Sequence, residues 1–157
     1  MKYTPLHGHS DFSILDACSN VKSICERAAE IGLEHIALTD HGSMGGIFEF
    51  YKESKAAGIN PILGVEAYIV EDRLQLGPTD EQKEGLNKAE RDALNKKHRK
   101  YNHVGLIAQN NTGLKNLFNV VSDAARNGTY YRPRTDWDFL AEHSKGVIAL
   151  SGCLQGK

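Results

Sequence analysis

The chain has 157 residues, 40% of them hydrophobic and 25% charged, with a formal net charge of −1. That mix suits one globular domain with a real core and excludes a global pull toward nucleic acid, leaving only local patches. No apolar run approaches the roughly 18 residues a membrane span needs, residues 1–5 lack the apolar core of a secretory leader, and three cysteines make no disulfide framework, so the expected setting is the cytoplasm.

Helix-like and strand-like stretches alternate along the chain. Tyr3 to His9 reads as a short extended segment. Val21, Ile24, Cys25, Ala28 and Ile31 recur at helical spacing, with Ser19 or Asn20 as N-cap and Gly32 as stop. Ile36 to Thr39 reads as a buried strand, Gly45 to Ala57 as a helix ended by Gly58, and Pro61 to Val70 as an apolar strand. Tyr101 to Gln109 is a further strand. Leu114, Leu117, Phe118, Val121 and Ala125 form a helical stripe closed by Asn127-Gly128. Thr135 is expected to cap a short helix, and Val147 to Leu150 is the last strand. This order predicts a parallel sheet or barrel with helices outside. Residues 71–100 interrupt it with polar sequence, Gly77-Pro78 and a charged helix, and are expected to form a mobile insertion on the rim.

The chemistry-bearing residues gather at the predicted strand ends, where parallel β/α folds place their sites. His7 and His9 stand at i, i+2 on an extended segment and so project to one side. Asp40-His41 follows the strand 36–39, and Ser151-Gly152-Cys153 follows the last strand. Glu66 lies inside an apolar strand, where an ionised group is costly unless paired or bound to a metal. His103 fits less well, because it opens its strand instead of closing it. Imidazole, carboxylate and thiolate together form a transition-metal donor set. Each also has a plainer use: Asp40 could cap a helix, Glu66 could pair with an arginine, and Cys153 could pack as a small hydrophobe. His35, His98 and His143 are expected to be ordinary surface or core histidines.

The segments His7-x-His9-Ser10-Asp11-Phe12-Ser13-x-Leu15-Asp16 and Leu38-Thr39-Asp40-His41-Gly42-Ser43-Met44-x-Gly46 resemble two motifs of the polymerase and histidinol phosphatase (PHP) domain. The segments around Phe48-Glu49-Phe50-Tyr51, Gly64-x-Glu66-Ala67-Tyr68, Tyr130-Tyr131-Arg132-Pro133-Arg134 and Ser151-Gly152-Cys153 are similar to the form of that domain found in bacterial DNA polymerase III alpha subunits. The resemblance covers almost all of the chain except residues 71–100. It implies a distorted TIM-like barrel of about seven β/α units and a metal centre of up to three ions. Matched one at a time, the ligand positions fall on His7, His9, Asp16, His41, Glu66, His103 and Cys153, with Asp40 behind them orienting an imidazole. The family's last ligand pair, Asp-x-His, does not occur in this sequence, so the chain reads as a barrel cut short with an open sheet edge through which copies could associate.

The activity implied is metal-dependent hydrolysis of a phosphate ester, with zinc or manganese favoured over magnesium by the sulfur ligand. In a polymerase subunit the substrate would be a DNA 3′ end, which implies 3′–5′ exonuclease proofreading with the remaining polymerase domains as partners. Arg132 and Arg134 would grip phosphate there, and Tyr130 and Tyr131 would stack on bases. The basic run Lys96-Lys97-His98-Arg99-Lys100 is a solvated face or a local DNA contact. Two alternatives stand beside this: a stand-alone phosphatase for a small phosphate monoester, and a non-catalytic domain bracing a polymerase.

Overall fold

The computed structural model describes residues 3–14 and 16–151. Leu15 and the expected ligand Cys153 lie outside them. Six helices and six strands follow in order: α1 (Val21–Glu30), β1 (His35–Leu38), α2 (Ile47–Ala56), β2 (Asn60–Val70), α3 (Asp80–Lys83), α4 (Lys88–His98), β3 (Asn102–Ala108), α5 (Asn111–Arg126), β4 (Thr129–Tyr130), β5 (Arg132–Asp136), α6 (Trp137–Glu142) and β6 (Val147–Leu150).

The two strongest helices form for the reasons their sequences give. Val21, Cys25 and Ala28 are the buried stripe of α1, Asn20 accepts from the Ser23 N–H at its start, and Gly32 closes it at φ 75°. Leu117, Val120 and Ala124 bury one face of α5, and Asn110 caps its first turn. At α6 the cap is Asp136, which accepts from the Phe139 N–H, and not Thr135. A carboxylate one residue later simply has the better reach to the third helical N–H.

β2 organises the sheet. Along one edge it pairs in parallel first with β1, Leu38 beside Leu63, then through a bridge between His41 and Glu66, then with β5, Tyr68 beside Arg134. Along the other edge it pairs antiparallel with β3, placing Glu66 beside Gly105 and Tyr68 beside His103. β6 lies antiparallel to β3, and β4 forms a hairpin with β5. The residues from Pro5 to Gly8 run along β1, where the Ala37 N–H donates to Pro5 O at 3.0 Å and the Thr39 N–H to Gly8 O at 2.8 Å. Phe50, Leu38, Ile59, Ile69, Leu106 and Leu117 fill the core between this sheet and helices α1, α2 and α5.

The expected parallel strand order is corrected. Among the described residues the sheet is open, as a barrel cut short would leave it, but it is mixed, not parallel. The long polar insertion allows β3 to return beside β2 in the opposite direction, because its length removes the constraint a short crossover would impose. The insertion itself is two capped helices. Thr79 with Gln82 and Asn87 with Glu90 form capping boxes for α3 and α4.

The insertion is anchored at its root. The Arg73 guanidinium donates to Asp123 at 2.6 Å and to Asp136 at 3.0 Å, joining the end of β2 to α5 and β5. Burial pushes the Asp136 carboxyl up, but hydrogen bonds from the Phe139 and Arg73 backbones and the Arg73 side chain outweigh it and hold the group below its ordinary value. A carboxyl depressed in this way stabilises the fold above its unfolded pKa and loses that contribution as pH falls through its folded one. The chain should therefore lose stability as pH drops below about 4, and Asp136→Asn should flatten that slope. Urea midpoints across the acid range check this; parallel curves for the two proteins would contradict it.

Candidate metal centre

Four imidazoles and two carboxylates converge where β1 and β2 pass the His41–Glu66 bridge. Glu66 is their hub and is 2% exposed. Its Oε2 lies 3.0 Å from His7 Nε2, 3.1 Å from His9 Nε2 and 3.3 Å from His41 Nδ1, and its Oε1 lies 2.8 Å from His103 Nδ1. Asp16 closes the open side, its Oδ2 2.9 Å from His41 Nε2 and 3.8 Å from His9 Nε2. Strand alternation explains the arrangement. His7 and His9 share one face of the segment along β1, and Glu66 points to the same rim from β2. His103 opens β3, but β3 runs antiparallel to β2, so the start of one strand lies where the other finishes.

Asp40 does different work from that expected. It is 2% exposed and touches no imidazole nitrogen. Its carboxylate accepts from the Ser10 N–H at 2.7 Å, the Ser10 hydroxyl at 2.7 Å and the Ser13 hydroxyl at 2.6 Å. Ser13 Oγ in turn accepts from the His41 N–H, and Ser13 O accepts from the Asp16 N–H. Asp40 thus braces the turn that delivers both Asp16 and the His41 backbone. The following Gly42 is required twice over: its φ is 59°, and a Cβ there would fall 2.8 Å from the Tyr68 ring.

Burial pushes the Glu66 carboxyl up, yet hydrogen bonds to His9 and His7 and positive charge at His103 and His41 pull it well below the ordinary carboxylate range. The reciprocal bond to Glu66 raises the His9 imidazole against its own burial. Among the described residues the buried His9 Nδ1 and His103 Nε2 have no hydrogen-bond partner, and His41 Nδ1 has only its 3.3 Å ion-pair contact with Glu66, without hydrogen-bond geometry. Unpaired polar atoms of this kind are costly in a fold that serves no ligand. Three overlapping groups, His7/His9/Glu66, His9/Asp16/His41 and His41/Glu66/His103, each hold their donor atoms within 4.8 Å of one another. Their imidazole and carboxylate donors fit a divalent transition ion.

Two tyrosines that the sequence analysis left unassigned complete the wall. Tyr68 stacks parallel to His41 at 5.9 Å between ring centres, and Tyr101 stacks on His103 at 5.5 Å. The available signal was spacing: Tyr68 stands two residues from Glu66 on β2, and Tyr101 stands two residues before His103, just ahead of β3. Arg132 is exposed, and its guanidinium lies 5.9 Å from the Tyr68 ring centre, at the edge of the site. Arg134 is not presented to a substrate. It is 2% exposed and donates to the carbonyls of Gly128, His98 and Gln75, tying the insertion to the β4–β5 hairpin. His98 and His143 bond to carbonyls four residues back in their own helices.

The chain belongs to the PHP domain family, matching it over residues 5–157. Among its curated relatives are DNA polymerase III alpha subunits from Borreliella burgdorferi, 39% identical over 155 residues, and from Chlamydia pneumoniae, 40% identical over 154 residues. These alignments cover 99% and 98% of this chain but 12% and 11% of the relatives, so the chain spans about a tenth of their length. A solved amidohydrolase from Chromobacterium violaceum, with bound sulfate and no metal, shares the fold at a TM-score of 0.50 and 21% identity, covering 77% of this chain and 32% of that one. No helix among the described residues is long and apolar enough to cross a membrane.

Proposed function

We propose that the chain is the phosphoesterase domain of a DNA polymerase III alpha subunit and hydrolyses phosphodiesters with bound zinc or manganese, acting as a 3′–5′ exonuclease on DNA. The observation that carries this reading is the convergence of His7, His9, Asp16, His41, Glu66 and His103 around one buried carboxylate. The open sheet is then part of the family's barrel, and the other polymerase domains are its partners.

Bound divalent ions would supply an activated water and neutralise charge on a phosphate oxygen. The protein's own contribution is positional. Glu66 and the four imidazoles hold the donor cage, Asp16 closes its open side, and Asp40 keeps the 10–13 turn in place. Arg132 offers a guanidinium at the rim, where it can orient a phosphate through paired N–H donors. Tyr68 and Tyr101 wall off His41 and His103 and limit water on that side.

The test is hydrolysis of bis-p-nitrophenyl phosphate, of p-nitrophenyl phosphate and of a 5′-labelled single-stranded oligonucleotide, each with zinc, manganese and magnesium. The diester should be cleaved faster than the monoester, the oligonucleotide should shorten from its 3′ end, and His9→Ala should lower both rates by more than about 100-fold. Faster cleavage of the monoester would favour a small-molecule phosphatase, and inertness with all three ions would end the hydrolase reading.

A further inference from the structure

A second feature lies beside the donor cage and plays no part in it. A cleft of about 880 Å³ opens between α4 and the ends of β2 and β3. Its wall carries Lys97, Arg99, Lys100 and Arg134 against Glu71 and Asp72, an excess of positive charge in a chain that is nearly neutral overall. The Arg134 guanidinium is buried and, among the described residues, donates to three backbone carbonyls and to no carboxylate. Tyr101 lines this cleft and also stacks on His103, so the cleft and the cage share a wall.

At the rim stands Tyr131. It is the one non-glycine residue with positive φ among the described residues, at 62°, a conformation that bulky side chains rarely adopt. The residue is nevertheless 63% exposed. Arg99, itself part of the cleft wall, lies 3.9 Å from the ring centre and donates to the Tyr131 hydroxyl. A strained backbone that holds an aromatic ring out in water, fixed from beneath by a cation, is not explained by packing. An exposed ring of this kind offers a flat surface on which any base can stack.

We propose that this cleft is a track for single-stranded nucleic acid running beside the donor cage, with Tyr131 as a base-stacking platform and Lys97 and Lys100 as phosphate contacts. The proposal deepens the phosphodiesterase reading and rests on it for the purpose of the track, though not for its existence. It accounts for why the insertion 71–100 is anchored to the β4–β5 hairpin through Arg134: the two elements together build the track.

The test is fluorescence anisotropy of the metal-free chain with a labelled oligothymidylate, alongside a strand of equal length lacking bases. Tyr131→Leu should weaken oligothymidylate binding about tenfold, and Tyr131→Phe should restore it. Neither substitution should alter binding of the abasic strand. The double variant Lys97→Gln/Lys100→Gln should weaken both strands and reduce the slope of log K against log salt by roughly 1.4. Far-ultraviolet circular dichroism matching the unsubstituted chain makes these readings independent of folding. No measurable binding by the unsubstituted chain, or equal affinities for all variants, overturns the track even if small diesters are hydrolysed. Binding that responds as described in a protein that hydrolyses nothing supports the track and ends the hydrolase reading.

Discussion

Glu66→Ala should bind zinc more than about 100-fold more weakly than the unsubstituted chain in a chelator-competition titration, since even groups that only support a ligand typically account for about 10–100-fold. Glu66 is the point all four imidazoles share, through Oε2 for His7, His9 and His41 and through Oε1 for His103. Removing it deletes a carboxylate donor and releases four rings from the contact that orients them. Glu66→Gln separates these two effects. It keeps the shape and one acceptor oxygen, so the rings should stay in place, but it removes the charge that offsets a divalent ion. Its zinc affinity should fall between those of the other two proteins. Equal affinity in all three would show that Glu66 is a structural carboxylate satisfied by histidines and nothing more.

Asp40→Ala should lower stability by about 3 kcal/mol or more in urea unfolding, because three donors lose a charged acceptor in a place water does not reach. For a domain whose total stability is of order 5–15 kcal/mol, that is a large fraction. The loss should also reach the donor cage, since Ser13 is held by Asp40 and itself holds the His41 and Asp16 backbones. Zinc affinity should therefore fall in Asp40→Ala although Asp40 touches no imidazole nitrogen. Asp40→Asn keeps one acceptor oxygen and should lie between. A stability equal to that of the unsubstituted chain would mean that the 10–13 turn is held by something other than this carboxylate.

Much of this arrangement was legible because it rests on local rules. The stripes of α1 and α5 follow from periodicity, and Asn20 and Gly32 mark the ends of α1 by their chemistry. The two leading histidines face one way because strand side chains alternate, and a carboxylate inside the apolar run 64–70 needs a partner on energetic grounds alone. What could not be read depends on long-range choices. The direction of β3 is set across the whole insertion, and with it the reason His103 belongs to the rim at all. Arg134 looked like a phosphate grip because nothing local says that Gln75 and His98 will fold back to offer it their carbonyls. Asp40 stood next to a histidine in sequence, yet its partners Ser10 and Ser13 come from the preceding turn. Tyr68 and Tyr101 carry no local mark of the site, because an aromatic ring in an apolar stretch is usually core and only the pairing register shows which rings line the site.

The most direct measurement is an anomalous difference map at the zinc absorption edge from crystals of this chain grown with zinc. The account predicts a peak among His7, His9, His41 and Glu66, with nitrogen and oxygen donors at about 2.0–2.2 Å. Zinc found only at surface residues elsewhere, with the four imidazoles still gathered on an ion-free Glu66, would contradict it.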